Sequence, residues 1–351
     1  MTVRTRYFDI HDIVRIRLTM PSSLPFGKMV EQKYDAYKCD HINNPNFLVR
    51  FGPFVPELEK TIKIRAHSDT YFIKKDYFFG QFSYKGAKWD VQIKGLESDE
   101  KDICVRSNLT GVIGFASSTL VNLVKISFLL KGYFPVHGAC FEKNGHAFLF
   151  PARSGVGKTL LSLHMLKRGY RLLGDDKVFV KDGCIYSHLI PLNLKFVYVK
   201  TPEANLSLRV RLGISIRGII NKISLGYLSL LTPVPAEDLF PGQIVHSAKL
   251  KSVIQLDLED KLSPGTLINS GALIRKIMIS SLVEASELCR IEDAYSHIYP
   301  ESLIAGIRQN KHETLEKSFN GLVLKKVILG KVFSKETGIL LESMVNSDAH
   351  L

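Results

Sequence analysis

The rhythm of hydrophobic and polar positions changes once along the chain. Over residues 1–110, short alternating or aromatic runs are separated by turn residues. Thr61–Ala66 (TIKIRA), Tyr77–Tyr84 (YFFGQFSY) and Trp89–Ile93 (WDVQI) are examples, the last two joined through Lys85-Gly86. Such runs between turns predict antiparallel strands and hairpins. From Gly111 onward the pattern is mixed. A helix is expected over Phe115–Lys131, followed by the apolar runs Val136–Phe141 and His146–Phe150 on either side of Asn144-Gly145. Both residues of an Asn-Gly pair accept the positive φ of a type I′ turn, so this is a strong hairpin signal. Further on, Ser252–Leu258 and Leu322–Leu329 read as strands. Ala272–Arg290 and Ser302–Phe319 carry apolar residues at helical spacing. The pattern predicts a mixed α/β (α+β) chain with two domains, a β-rich one over 1–110 and a second over 111–351.

Composition narrows the class. With 351 residues, 45% hydrophobic and 23% charged, the chain is long enough for roughly two to three domains and has the balance of a folded globular protein. That excludes disordered tails, collagen-like chains and small disulfide scaffolds. The formal charge of +13 favours anionic partners such as phosphates, nucleic acid or acidic lipid. Cys39, Cys104, Cys140, Cys184 and Cys289 are an odd set without a CxxC pair, which argues against a disulfide framework or a zinc site. A reducing cytoplasm is the expected compartment. The N-terminus lacks the apolar core of a signal peptide. Val112–Leu130 is apolar but interrupted by Asn122 and Lys125, and reads as an amphipathic or buried helix rather than a membrane span. The sequons at Asn108 and Asn205 therefore lack a glycosylation context.

One stretch carries chemistry. Residues 148–159 read FLFPARSGVGKT, close to the phosphate loop G-x-x-x-x-G-K-S/T that follows a strand and opens a helix. Ala152 takes the place of the first glycine. Ser154, Gly155, Val156, Gly157, Lys158, Thr159 and Leu160 form the candidate nucleotide cradle. Gly155 and Gly157 let successive N–H groups turn inward toward phosphate oxygens, and the following helix adds its N-terminal dipole. In this pattern Lys158 reaches the β- and γ-phosphates and the Thr159 hydroxyl ligates Mg²⁺. Thr159–Arg168 (TLLSLHMLKR) suits the helix and Gly169 its C-terminal end. Tyr170–Asp176 (YRLLGDD) follows as a strand ending in two carboxylates, at the sheet edge where ligands bind. One acid there could hold Mg²⁺ and the other accept a proton.

The 45 residues Val136–Val180, VHGACFEKNGHAFLFPARSGVGKTLLSLHMLKRGYRLLGDDKVFV, resemble the core of the HPr kinase/phosphorylase family. That core has a His-Gly strand, an SGxGKS loop and a strand ending in paired aspartates, in the same order. The stretch is also similar to the kinase motifs of ATP-type phosphoenolpyruvate carboxykinases. The resemblance implies a P-loop kinase fold, ATP and Mg²⁺ as cofactors and, in the best-known members, a protein serine as acceptor. It implies catalytic roles for His137, Lys158 and Asp175, with Asp175 as general base, and metal ligation by Thr159 and Asp176. Without the resemblance, His137 on an apolar strand reads as a hydrogen-bonded core residue.

The departures limit what carries over. Leu160 stands where HPr kinases have a glutamate, and their downstream E-I/V-R-G segment is met only by Ser215-Ile216-Arg217-Gly218. The second metal ligand, the phosphorylase activity and HPr itself as substrate are thereby left open. The leading expectation is an ATP-dependent serine kinase acting on a protein or peptide hydroxyl. The alternatives are a small-molecule kinase and a catalytically inactive, nucleotide-binding regulatory protein. Arg153 or Arg217 could add positive charge at the phosphates, though Arg153 at a variable loop position reads first as solvated. Nucleic acid is not an expected partner, because the basic residues are scattered without a reader motif. Self-assembly is an option raised by the family's hexamers, but 45 residues do not transfer it.

Overall fold

The computed structural model describes residues 2–66, 68–194, 206–223, 232–239, 241–260, 262–283, 291–330 and 334–349. Contacts divide the chain into two compact units, one of residues 1–133 and 286–311, the other of 134–285 and 312–351. The division falls about one helix later than the change of pattern at Gly111. It also returns a distant segment to the first unit.

Among the described residues, the first unit is built on a nine-stranded sheet in the order β3-β1-β2-β4-β9-β8-β7-β6-β5. In chain order these are β1 (Val3–Ile10), β2 (Val14–Pro21), β3 (Lys38–Cys39), β4 (Phe47–Phe51), β5 (Ile62–Ala66), β6 (Asp69–Lys74), β7 (Tyr77–Tyr84), β8 (Ala87–Lys94) and β9 (Lys101–Ser107), with the short helix α1 (Gly27–Lys33) between β2 and β3. The sequence-predicted hairpins are present. Lys85 and Gly86 take φ of 47° and 83° between β7 and β8, the left-handed pair a type I′ turn needs. Asn108 spends its side chain here, accepting from Lys88 N and Gly111 N and donating to Gly86 O.

The apolar segment at the start of the mixed region is helical, as α2 (Gly111–Gly114), a π-helical turn over Phe115–Thr119 and α3 (Leu120–Leu130). By length and composition Gly111–Leu130 could cross a membrane, yet 67% of it is buried within the protein, as a core helix would be. Trp89 fixes it in place. Its indole N–H donates to Thr119 Oγ1 at 2.9 Å, and its ring lies so close to Gly114 that a Cβ there would sit 2.4 Å from it.

The second unit carries, among the described residues, an eight-stranded sheet in the order β11-β10-β13-β14-β17-β19-β18, with β12 paired to β10. Its elements are β10 (Phe134–Lys143), β11 (His146–Pro151), α4 (Lys158–Lys167), β12 (Arg171–Gly174), β13 (Lys177–Lys181), β14 (Cys184–Ser187), β15 (Leu192–Leu194), α5 (Leu208–Ile223), β16 (Thr232–Val234), α6 (Ala236–Leu239), β17 (Ser247–Leu258), β18 (Ser263–Leu267), α7 (Ser270–Val283), β19 (Val323–Leu329) and α10 (Lys335–Ala349). Between α7 and β19 the chain forms α8 (Ile291–Ile298) and α9 (Leu303–Phe319), and α9 begins in one unit and ends in the other. The expected hairpin at Asn144-Gly145 is present, with φ of 54° and 83°. The last part of the expected helix Ala272–Arg290, together with Asn205 and Cys289, lies outside the described residues.

Three strands, β11, β17 and β19, run parallel side by side, and successive residues of β11 and β17 are buried, as strands covered on both faces require. Phe148, Leu149, Phe150, Val253, Ile254 and Val327 are fully or almost fully buried. α10 packs on α4 so closely that a Cβ at Gly338 would lie 2.5 Å from the His164 ring. Arg168 at the end of α4 pairs with Glu342 at 2.6 Å. This strand–loop–helix frame holds the glycine-rich loop.

Candidate active site

β11 leaves the sheet at Pro151 and is extended one residue further by Ala152, which bridges in parallel to Leu256. The Ala152 amide donates to His137 O at 3.3 Å, and its φ is not positive. An alanine therefore fits where phosphate loops usually have their first glycine, because this backbone position is still extended strand. The left-handed positions come later, at Gly155 (φ 88°) and Gly157 (φ 97°). A side chain is strained in that region, which accounts for glycine at both. Gly157 caps α4, whose first residue is Lys158, so the N-terminal N–H groups of α4 open at the loop.

The Lys158 ammonium reaches back across its own loop. It donates to Ala152 O at 3.2 Å and Arg153 O at 3.0 Å and lies 2.8 Å from His137 Nε2. His137 is held on β10, where Gly138 permits the approach of β11. A Cβ at Gly138 would be 2.6 Å from Phe150 O and 2.9 Å from Pro151 Cα, and the Gly138 amide donates to Asp176 O at 2.9 Å. The other ring nitrogen, His137 Nδ1, is 3.4 Å from Asp176 Oδ1. Lys158, His137 and Asp176 thus form a row, buried at the first two members and 43% exposed at the Asp176 side chain.

The paired aspartates part company at the end of β12. Gly174 lets the chain turn, since a Cβ there would meet Lys177 O at 2.4 Å. Asp175 turns inward to α4. Its Oδ2 accepts from the Thr159 hydroxyl at 2.9 Å, and its Oδ1 accepts from the Ser162 hydroxyl. Burial pushes its carboxyl above the usual range, against the pull of the Ser162 and Thr159 hydroxyls, while the charge of Asp176 adds to the rise. Asp175, expected as the general base, faces the hydroxyl of Thr159, itself expected as a metal ligand; Asp176, also expected as a metal ligand, faces His137 and the solvent side. Ser162 was not singled out by the motif. Its i+3 position from Thr159 on a helix is the signal that could have found it.

Ser154 and Gly155 are exposed at the loop tip, Val156 is buried at 6% exposure, and Leu160 is half-buried. Beside the loop lies a cleft of about 390 Å³, lined by Arg153, Ser154, Val156, Gln255, Asp257, Lys276 and neighbouring residues. No motif or spacing pointed to its far wall. There Asp257 pairs with Lys276 and Lys326, which hold its carboxyl below the usual range despite partial burial. Ser215–Gly218, the string nearest to the family's downstream metal-binding segment, lies inside α5. Arg217 makes no hydrogen bond or ion pair there among the described residues.

Fold and site together define a mixed α/β protein with a glycine-rich strand–loop–helix turn, bordered by a histidine and two aspartates. No family model matches the chain. Its curated relatives carry one name, HPr kinase/phosphorylase. The Clostridium beijerinckii protein is 37% identical over 78 residues, which is 22% of this chain and 24% of the relative. The Enterococcus faecalis protein is 35% identical over 92 residues, 25% of this chain and 30% of the relative. The Geobacter sulfurreducens protein is 37% identical over 68 residues, 18% and 21% of the two. The chain is thus HPr kinase-like in part, and it spans between a fifth and a third of the length of these relatives. Among solved structures it is similar to the HPr(Ser) kinase/phosphatase from Coxiella burnetii, at 11% identity and a TM-score of 0.28, over 61% of this chain and 94% of that one.

Proposed function

We propose that this chain is an ATP- and Mg²⁺-dependent phosphotransferase acting on a hydroxyl, a serine of a protein or peptide in first place. The observation that supports this reading most is the row Lys158–His137–Asp176 beside a loop whose Thr159 is locked to Asp175. The donor set suits Mg²⁺: a hydroxyl and adjacent carboxylates are hard oxygen ligands, and this ion is usually held by one or two carboxylates plus substrate phosphates. No group of three or more His, Cys, Asp or Glu side chains among the described residues makes an all-protein metal cage. When bound, Mg²⁺ would neutralise charge developing on the β- and γ-phosphate oxygens.

The chain's own residues then divide the work. The loop amides and Lys158 bind and orient the phosphates. Thr159, with Asp175 behind it, offers the metal its hydroxyl. Asp176, more open to solvent, takes the proton of the acceptor hydroxyl as its oxygen bonds to the γ-phosphorus and the bond to ADP breaks. His137 holds Asp176 on one side and the Lys158 ammonium on the other. The geometry thus favours Asp176 over Asp175 as the base, the reverse of the sequence-based assignment.

The test is a nucleotide titration with and without Mg²⁺ on the parent and Lys158→Ala, followed by transfer of labelled phosphate in cell extract. Mg²⁺-dependent binding lost in the variant, with a labelled protein band, is the expected result. Binding without any labelled product, protein or small molecule, would leave a regulatory nucleotide module, the reading that Leu160 in place of an acid supports. A small-molecule acceptor is the second reading. The cleft of about 390 Å³ beside Arg153 and Ser154 supports it, since ligand pockets start near 300 Å³.

A further inference from the structure

The helix α5 presents a feature that phosphate transfer does not use. Its sequence LRVRLGISIRGIINKI contains three arginines and one lysine and no acid. Leu208, Leu212, Ile216, Ile219 and Ile223 are 80%, 63%, 56%, 58% and 77% exposed. At 3.6 residues per turn these five fall within about 80° of arc along about 22 Å of helix. The helix packs through a different face, on which Ile214 is 1% exposed. The aliphatic stripe is therefore separate from the side by which α5 is attached.

The cations border the stripe. By the same helical spacing Arg209 lies along one edge and Arg211 and Lys222 along the other. Arg209, Arg211 and Lys222 are exposed. Arg211 Nε donates to Leu206 O at 3.0 Å, which keeps its stem along that edge. A leucine-isoleucine stripe flanked on both sides by long basic side chains is the pattern of a helix lying in a bilayer interface. The aliphatic groups sink below the headgroups while Arg and Lys extend upward to the phosphates. A protein groove is a poorer match. The stripe has no Trp or Tyr of the kind that anchors protein interfaces, and its borders call for a surface that is uniformly anionic. The +13 charge of the chain acts in the same direction.

We propose that α5 is a membrane-surface helix, docking this chain on bilayers that contain acidic phospholipid by inserting the Leu208–Ile223 stripe between headgroups. The inference is independent of phosphate transfer.

The test is flotation of the full chain with vesicles of phosphatidylcholine alone and of phosphatidylcholine and phosphatidylglycerol in equal parts, at low and at physiological salt. The expected result is binding to the anionic vesicles, weakened by salt. It should fall by about tenfold or more in each of two variants, Leu212→Gln with Ile216→Gln and Arg209→Glu with Lys222→Glu. All four positions are exposed, so circular dichroism and thermal melting should match the parent. A folded parent that does not float overturns the proposal. So does a Gln variant that floats as well as the parent, because charge alone would then explain binding. Concentration-dependent dimers that the Gln pair abolishes, without flotation of the parent, would assign the stripe to a second copy of the chain instead.

Discussion

The Thr159 hydroxyl donates to Asp175 Oδ2 at 2.9 Å, joining the first turn of α4 to the end of β12 across sixteen residues of sequence. Ser162 adds a second hydroxyl to the same carboxylate one helical turn later. Asp175 is thereby oriented toward the helix, and its neighbour Asp176 toward His137.

This division predicts unequal effects of two conservative changes. Asp176→Asn should leave nucleotide affinity near the parent value and lower phosphate transfer by about 10²–10⁴-fold, the usual contribution of a general base. Asp175→Asn should weaken Mg²⁺-nucleotide binding more than binding in EDTA. Titrations and single-turnover transfer on both variants separate the roles. Parent-rate transfer by Asp176→Asn would return the base to Asp175.

Asp175 also predicts a pH dependence of stability. Its folded-state pKa is raised by burial above the ordinary value of about 3.9. Such a group favours folding fully below the unfolded pKa, and that favour is lost as pH rises through the folded value. The parent should therefore lose stability relative to Asp175→Asn as pH climbs from about 4 toward neutrality. Thermal melting of both proteins across that range measures it. A difference that stays constant with pH would mean that no buried charge is being formed.

The substitution of the usual loop glycine should be harmless. Ala152 is extended and bridged to Leu256, so Ala152→Gly gains no backbone freedom that the loop needs. It should leave nucleotide affinity unchanged and cost about 0.5–1 kcal/mol of stability through chain entropy. A marked gain in affinity would show that the alanine obstructs the cradle.

Gly138 should be intolerant. A methyl group there would press on Phe150 O and Pro151 Cα at under 3 Å, backbone atoms that cannot step aside without parting β10 from β11. Gly138→Ala is expected to lower stability by about 1–3 kcal/mol, as overpacking does. It should also disturb His137 and hence transfer. Denaturant unfolding and the transfer assay read the two effects.

Much of this architecture was legible in one dimension because its signals are local. The Asn144-Gly145 turn declares itself through two residues that accept positive φ, and the Lys85-Gly86 turn through the aromatic and alternating runs on either side of it; both are realised. The strand, loop and helix around Lys158 are contiguous, so motif and periodicity could place them together. The helix near Phe115 was legible too, although its π-helical turn over Phe115–Thr119 was not, because the apolar spacing does not separate a π turn from the α-helix around it.

The sequence by itself determined which residue types border the phosphate loop: a histidine, a lysine, a threonine and two aspartates in fixed order, on elements whose period and turn chemistry are local properties. Only the tertiary structure decided which way each carboxylate faces. Adjacent residues at a strand end point in different directions, and the turn at Gly174 and the packing of α4 against β12 set those directions. The far wall of the cleft, with Asp257 between Lys276 and Lys326, was likewise out of reach of the sequence. Its strand β17 pairs with β11 from a hundred residues away and β19 joins through β17, and no local pattern reports pairing at that distance.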